Sequence, residues 1–166
     1  MNRTLIVISS RWEASGICAN RIFELIEGHV DLCFLEERKD VVNLSNYQTI
    51  IVGSDMHEDL PEQEITSFCE TYAGLLLSKR LGLFVTTSDS EEQAQEKLQQ
   101  VYPKELSEHA IILKSFEHER VQRKTGFWER LLLGNKKNVA EYNIVMTCGQ
   151  HKIDDFVKTI NTPDEA

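Results

Sequence analysis

Five short apolar runs recur along the chain, Leu5 to Ser9, Val30 to Leu35, Thr49 to Gly53, Leu81 to Thr86 and Ala110 to Leu113, and a later extended stretch covers Tyr142 to Thr147. Continuous runs of this length are what strands covered on both faces require, as in a parallel sheet. Between them the apolar positions change to spacings of three and four. Ile65, Phe68, Cys69, Tyr72 and Leu76 form the clearest helical stripe, opened by Asp59 and Glu62 around Pro61 as a capping pair. Ile22, Leu25 and Ile26 mark an earlier helix, Ala94, Leu98 and Val101 a middle one, and Ile153, Phe156, Val157 and Ile160 a final one.

Strand and helix alternating across short joints predict an α/β fold: a five-stranded parallel sheet, order 2-1-3-4-5, with right-handed crossovers and helices on both faces. The run Leu5 to Ser9, the most continuously apolar, is expected at the centre. One domain covers residues 1–161, with an irregular insertion at about 114–141 and a polar tail at 162–166. A chain of 166 residues suits a single core.

Composition changes this picture little. The hydrophobic share of 41% and charged share of 27% are ordinary for a globular domain. No segment approaches the ~20 apolar residues of a membrane-spanning helix, and Met1 to Thr4 leads directly into the first strand without a leader pattern, so a soluble cytoplasmic protein is expected. Cys18, Cys33, Cys69 and Cys148 lie far apart with no C-x-x-C pair, which argues against a disulfide framework or zinc site. Cys33 and Cys69 are expected as small buried hydrophobes.

Charge is more telling. A net charge of −9 disfavours nucleic acid as a partner, because the phosphate backbone is repelled. The stretch Arg120 to Lys137 departs from it, with Arg120, Arg123, Lys124, Arg130, Lys136 and Lys137 against Glu129 alone, around Phe127, Trp128, Leu131, Leu132 and Leu133. Basic side chains flanking an apolar face suit peripheral contact with an anionic membrane or an acidic partner. The alternative is a short helix folded back on the sheet with its cations solvated.

Ligands of open α/β sheets bind beyond the carboxyl ends of the strands, which nominates three loops. The first holds Ser9, Ser10, Arg11, Trp12, Ser15, Gly16, Ile17 and Cys18; hydroxyls, a glycine and helix-start amides are what a phosphate needs. The second is Ser54, Asp55, Met56, His57 and on to Asp59, and the third is Thr86, Thr87, Ser88 and on to Glu91. His57 could move protons alongside electrons, or stand by. Asp59, Ser88 and Ser90 also stand where helix caps are wanted, and Trp12 would either stack on a ligand or pack at the loop rim. Walker, Rossmann and nucleophile-elbow patterns are missing.

The hydroxyl-rich first loop resembles the phosphate loop of flavodoxins, where Ser/Thr residues and a Thr-Gly-x-Thr turn wrap the phosphate of flavin mononucleotide (FMN); Ser15-Gly16-Ile17-Cys18 is the nearest match here. Ser9-Ser10-Arg11, Ile51-Val52-Gly53-Ser54, Gly126 to Leu132 and Asn143 to Thr147 together resemble the flavodoxin-like branch that includes menaquinone-dependent protoporphyrinogen dehydrogenases. The resemblance implies a flavodoxin-like three-layer sandwich and an FMN-binding redox protein, either an electron carrier or a protoporphyrinogen-oxidase-like oxidoreductase. A redox partner protein or a quinone would exchange electrons with it, and the second and third loops would flank the flavin ring. Cys18 stands in place of the last hydroxyl, and those two loops supply acids but no aromatic residue. That departure supports the alternative, a flavodoxin fold that has lost FMN and acts as an interaction or regulatory module.

Overall fold

Alternation along each strand sorts the core into two layers. In the computed structural model, which describes residues 3–37, 43–57, 60–122, 142–147 and 149–163, the elements run β1 (Arg3–Ile8), α1 (Ala14–Leu25), β2 (His29–Phe34), β3 (Thr49–His57), β4 (Leu60–Pro61), α2 (Gln63–Leu76), β5 (Arg80–Thr87), α3 (Glu91–Val101), α4 (Lys104–His109), β6 (Ile112–Gln122), β7 (Tyr142–Met146) and α5 (Gln150–Asn161). Leu5, Val7, Ile50, Val52, Leu81, Leu83 and Val85 face α2, α3 and α4, while Ile6, Ile8, Ile51, Phe84 and Phe116 face α1 and α5. The side chains of both layers are buried, and each buried Leu, Ile or Phe contributes roughly 1.5–3 kcal/mol. Phe84, Phe116 and Phe156 meet with centroids 5.5 to 6.0 Å apart. Gly53 makes room for this trio, since a Cβ there would drive into the Phe84 ring.

The sheet is larger than expected and mixed rather than purely parallel. Its order is β2-β1-β3-β5-β6-β7, with the two-residue β4 antiparallel to the end of β3. The pairs from β2 to β6 are parallel, and β7 returns antiparallel to β6. β1 is an interior strand, between β2 and β3, with β3 and β5 nearer the middle. The discrepancy arises at Leu113. Beyond it the chain does not become irregular but continues in β6 to Gln122, with Phe116 and His118 buried between exposed Lys114 and Glu119. A half-covered strand alternates, so a search for continuous apolar runs stops too early.

The helices follow their apolar stripes. Ile65, Phe68, Cys69 and Leu76 are buried on α2, and Ile153, Phe156, Val157 and Ile160 on α5; Cys33 and Cys69 have no exposure. Asp59 lies outside the described residues, and Glu62, although at the N-cap of α2, makes no side-chain cap there. Ser90 caps α3 in a capping box with Gln93. At the far end Arg80 donates to the Ile160, Thr159 and Thr162 carbonyls, closing the C-terminus of α5. Of the basic stretch, Arg120 to Gln122 belong to β6; residues 123–141, with Phe127 and Trp128, lie outside the described residues. Among the described residues no helix is long and apolar enough to cross a membrane.

Candidate functional site

The carboxyl ends of β1, β3 and β5 converge where α1 begins, and a single side chain organises that point. Asp55, 1% exposed near the end of β3, accepts the Ser15 N–H at 3.0 Å on one carboxylate oxygen and 3.3 Å on the other. It also accepts the hydroxyls of Ser15 and Thr86. Three loops are therefore tied through one carboxylate. The next amides of α1 are engaged as well, Gly16 and Ile17 donating to the Glu13 carbonyl at 3.1 and 3.3 Å. A negative group at a helix start is favoured by the unpaired amides and the helix dipole. Here the chain supplies that group itself.

The hydroxyls of Ser10, Ser54 and Thr87 are used locally. Ser10 Oγ accepts the Trp12 amide at 3.4 Å, and Thr87 Oγ1 accepts the Asp89 amide at 3.0 Å. Ser54 Oγ accepts the Glu62 amide and donates to the Asp55 carbonyl, both at 3.1 Å. Ser9 is buried, its hydroxyl without a partner among the described residues. Gly16 is required by close approach: a Cβ there would collide with the Arg11 carbonyl, so the loop is closed on itself.

The remaining candidates point elsewhere. Cys18 is buried against Met146, with 3.9 Å between the sulfurs, and Ile17 is exposed on α1. Arg11 pairs with Glu37 and lies over the Phe34 ring at 4.5 Å, which holds Glu37 below the usual carboxylate range. Met56 is half-buried, His57 pairs its backbone with Leu60, and Ser88 is exposed. Trp12 is 78% exposed on the rim.

Two residues of this centre were not among the sequence candidates. Glu62 accepts the Asp55 amide at 3.1 Å, and burial pushes its carboxyl up to about 7, aided by Asp55, Glu13 and Glu64 nearby. Tyr102 donates its hydroxyl to the Phe84 carbonyl at 2.6 Å, with the Val52 carbonyl at 3.1 Å, and burial raises its pKa well above the usual value. Glu62 stands in the sequence only as half of a capping pair, although the amide it accepts is seven residues before it; Tyr102 carries no local signal, because the carbonyls it meets are 18 and 50 residues away.

Comparison with known proteins places this architecture. The family model described as "Flavodoxin domain" matches residues 5–143. The chain belongs to the flavodoxin domain family. No curated protein matches the sequence of this flavodoxin domain. Among solved structures it is similar to oxidised flavodoxin 1 from Bacillus cereus, at 13% identity and TM-score 0.54 over 95% of this chain and 93% of that one. It is also similar to the apo form of an NADH:FMN oxidoreductase, at 10% identity and TM-score 0.58 over 99% and 92%. A third similarity, to rubredoxin oxygen:oxidoreductase from Desulfovibrio gigas, has 15% identity and TM-score 0.50 over 97% of this chain but 35% of that one. At these identities the likeness concerns the fold.

The family implies FMN, and the first loop can be tested for it. A phosphate at the start of α1 would need the Ser15 amide and hydroxyl, which are committed to Asp55, and would meet the Asp55 carboxylate itself. The residues present do not fit that group in this arrangement.

Proposed function

We propose that this flavodoxin domain works without FMN, as an interaction or regulatory module built on the flavodoxin fold. One observation carries the reading: the Asp55 carboxylate takes up the α1-start amide and both nearby hydroxyls that an FMN phosphate would use. Burying a phosphate dianion against that carboxylate would be strongly unfavourable. The test is titration of FMN with the purified protein, following flavin fluorescence and visible absorbance. No quenching is expected, whereas a yellow protein or stoichiometric quenching would overturn the reading.

A second reading, an FMN-dependent electron carrier or protoporphyrinogen-type oxidoreductase, is favoured by family membership and by Trp12 exposed beside the loop, available for stacking. In that case a quinone or redox protein would be the partner. The same titration separates the two, and Asp55→Ser sharpens it: removing the carboxylate while keeping a hydroxyl should let the loop gain affinity for inorganic phosphate.

A further inference from the structure

Glu62 precedes α2, and its carboxyl turns back onto the end of β3. It accepts the Asp55 amide at 3.1 Å, while its own amide donates to Ser54 Oγ at 3.1 Å and that hydroxyl donates to the Asp55 carbonyl. The main chain of Asp55 is thus fixed from the N-cap of α2, and its carboxylate in turn holds Ser15 and Thr86. One residue couples the starts of two helices.

The groups around this contact oppose an ionised Glu62. Among the described residues they are Asp55 of β3, Glu13 at the start of α1, Glu64 in the first turn of α2 and the Tyr102 hydroxyl after α3. The Arg120 guanidinium of β6 lies 2.9 Å from the Glu13 carboxylate and serves that acid. Burial is the main cause that lifts the Glu62 carboxyl to about 7, the hydrogen bond from the Asp55 amide works the other way, and the neighbouring acids add to the rise.

We propose that Glu62 is a pH latch on the α1 start: protonated, it sits against the Asp55 amide and keeps the Asp55 carboxylate on Ser15 and Thr86; ionised, it turns out to water and lets that anchor loosen. Turning out gives up the Asp55 hydrogen bond and returns the carboxyl to its ordinary range, near 4.5. The latched form therefore holds the proton more tightly, so the latch is at full strength at low pH and weakens as pH rises through about 7. With those two values the unlatched share should rise about tenfold between about pH 6 and pH 8. The Ser15 and Thr86 donors become available to an outside acceptor as the latch opens. This inference is independent of whether FMN binds.

The experiment is hydrogen exchange of the native full chain by NMR, in low urea, beside a carbon-13 titration of the Glu62 carboxyl. Expressed as protection factors, the Asp55 and Ser15 amides are expected to lose about tenfold between about pH 6 and pH 8, through an opening that depends little on urea. The amides of Val7 and Leu83, buried in the sheet, are the reference and should exchange through urea-dependent unfolding. Glu62→Gln keeps an oxygen for the Asp55 amide but cannot ionise, and should make both protections independent of pH. Glu64→Gln alters an exposed acid of the same turn and should leave the pH dependence in place. A Glu62 midpoint in the ordinary carboxylate range would overturn the inference. So would Asp55 and Ser15 exchange with the urea dependence of Val7 and Leu83, or a pH dependence that survives Glu62→Gln or is lost equally in Glu64→Gln.

Discussion

Removing the Asp55 carboxylate should loosen the start of α1 and the loops after β1 and β5 together. In Asp55→Ala the Ser15 amide, the Ser15 hydroxyl and the Thr86 hydroxyl all lose their acceptor at a site with almost no solvent contact. An orphaned buried donor costs about 1–3 kcal/mol, and water entering the space left by the side chain keeps the total toward the low end, so a loss of about 3–5 kcal/mol is expected. For a chain of this size that is a drop in Tm of roughly 6–20 °C. Asp55→Asn keeps the volume and one carbonyl oxygen, and a hydroxyl can turn to accept from the new amide. What remains lost is the assistance of the charge, about 1–2 kcal/mol. Urea unfolding followed by far-ultraviolet circular dichroism gives both values, with Ser88→Ala as an exposed control, and hydrogen exchange at the Ser15 amide should accelerate in the same order. An alanine variant within about 0.5 kcal/mol of wild type, or an asparagine variant worse than alanine, would refute the anchoring role.

Three further outcomes follow from other parts of the molecule. Glu62 is held near 7 in the fold against 4.5 ordinarily, so the folded state keeps its proton more tightly; its contribution is full below about 4.5 and is lost as pH rises through about 7. Discounted for partial exposure this is roughly 1–2 kcal/mol, and urea midpoints at pH 5.5 and 8, buffer values of about that size, should show a slope that Glu62→Gln flattens. Gly53→Ala and Gly74→Ala should differ in sign: the first meets the Phe84 ring and should cost about 1–3 kcal/mol, while the second meets open space within α2 and should add about 0.5–1 kcal/mol in thermal unfolding. For the basic stretch, we propose contact with anionic membrane surfaces; vesicle co-sedimentation should weaken as salt rises, and reversing Arg123, Lys124 and Arg130 to glutamate should weaken it further without unfolding the chain, salt-independent binding or collapse of the fold on reversal being the contrary results.

Local periodicity was enough to read the α/β layering from the sequence, because a strand covered on both faces and a helix with one buried stripe leave different spacings in the chain itself. Leu5 to Ile8, Ile50 to Val52 and Leu81 to Val85 are buried as their runs require, and the stripes of α2 and α5 are the ones their spacing marks. The second half of β6 was not legible as a strand, since its mixed polar and apolar alternation reads as irregular until β7 is seen pairing with it. The carboxyl-end loops were legible as a candidate site, but not what fills it. Ser15 and Asp55 are 40 residues apart, and only the parallel pairing of β1 with β3 brings the end of one strand beside the helix that follows the other. Composition sees an acid in a loop as a solvated charge or a hindrance to a ligand; the tertiary structure makes it the anion at a helix start, because burial leaves those donors no other acceptor.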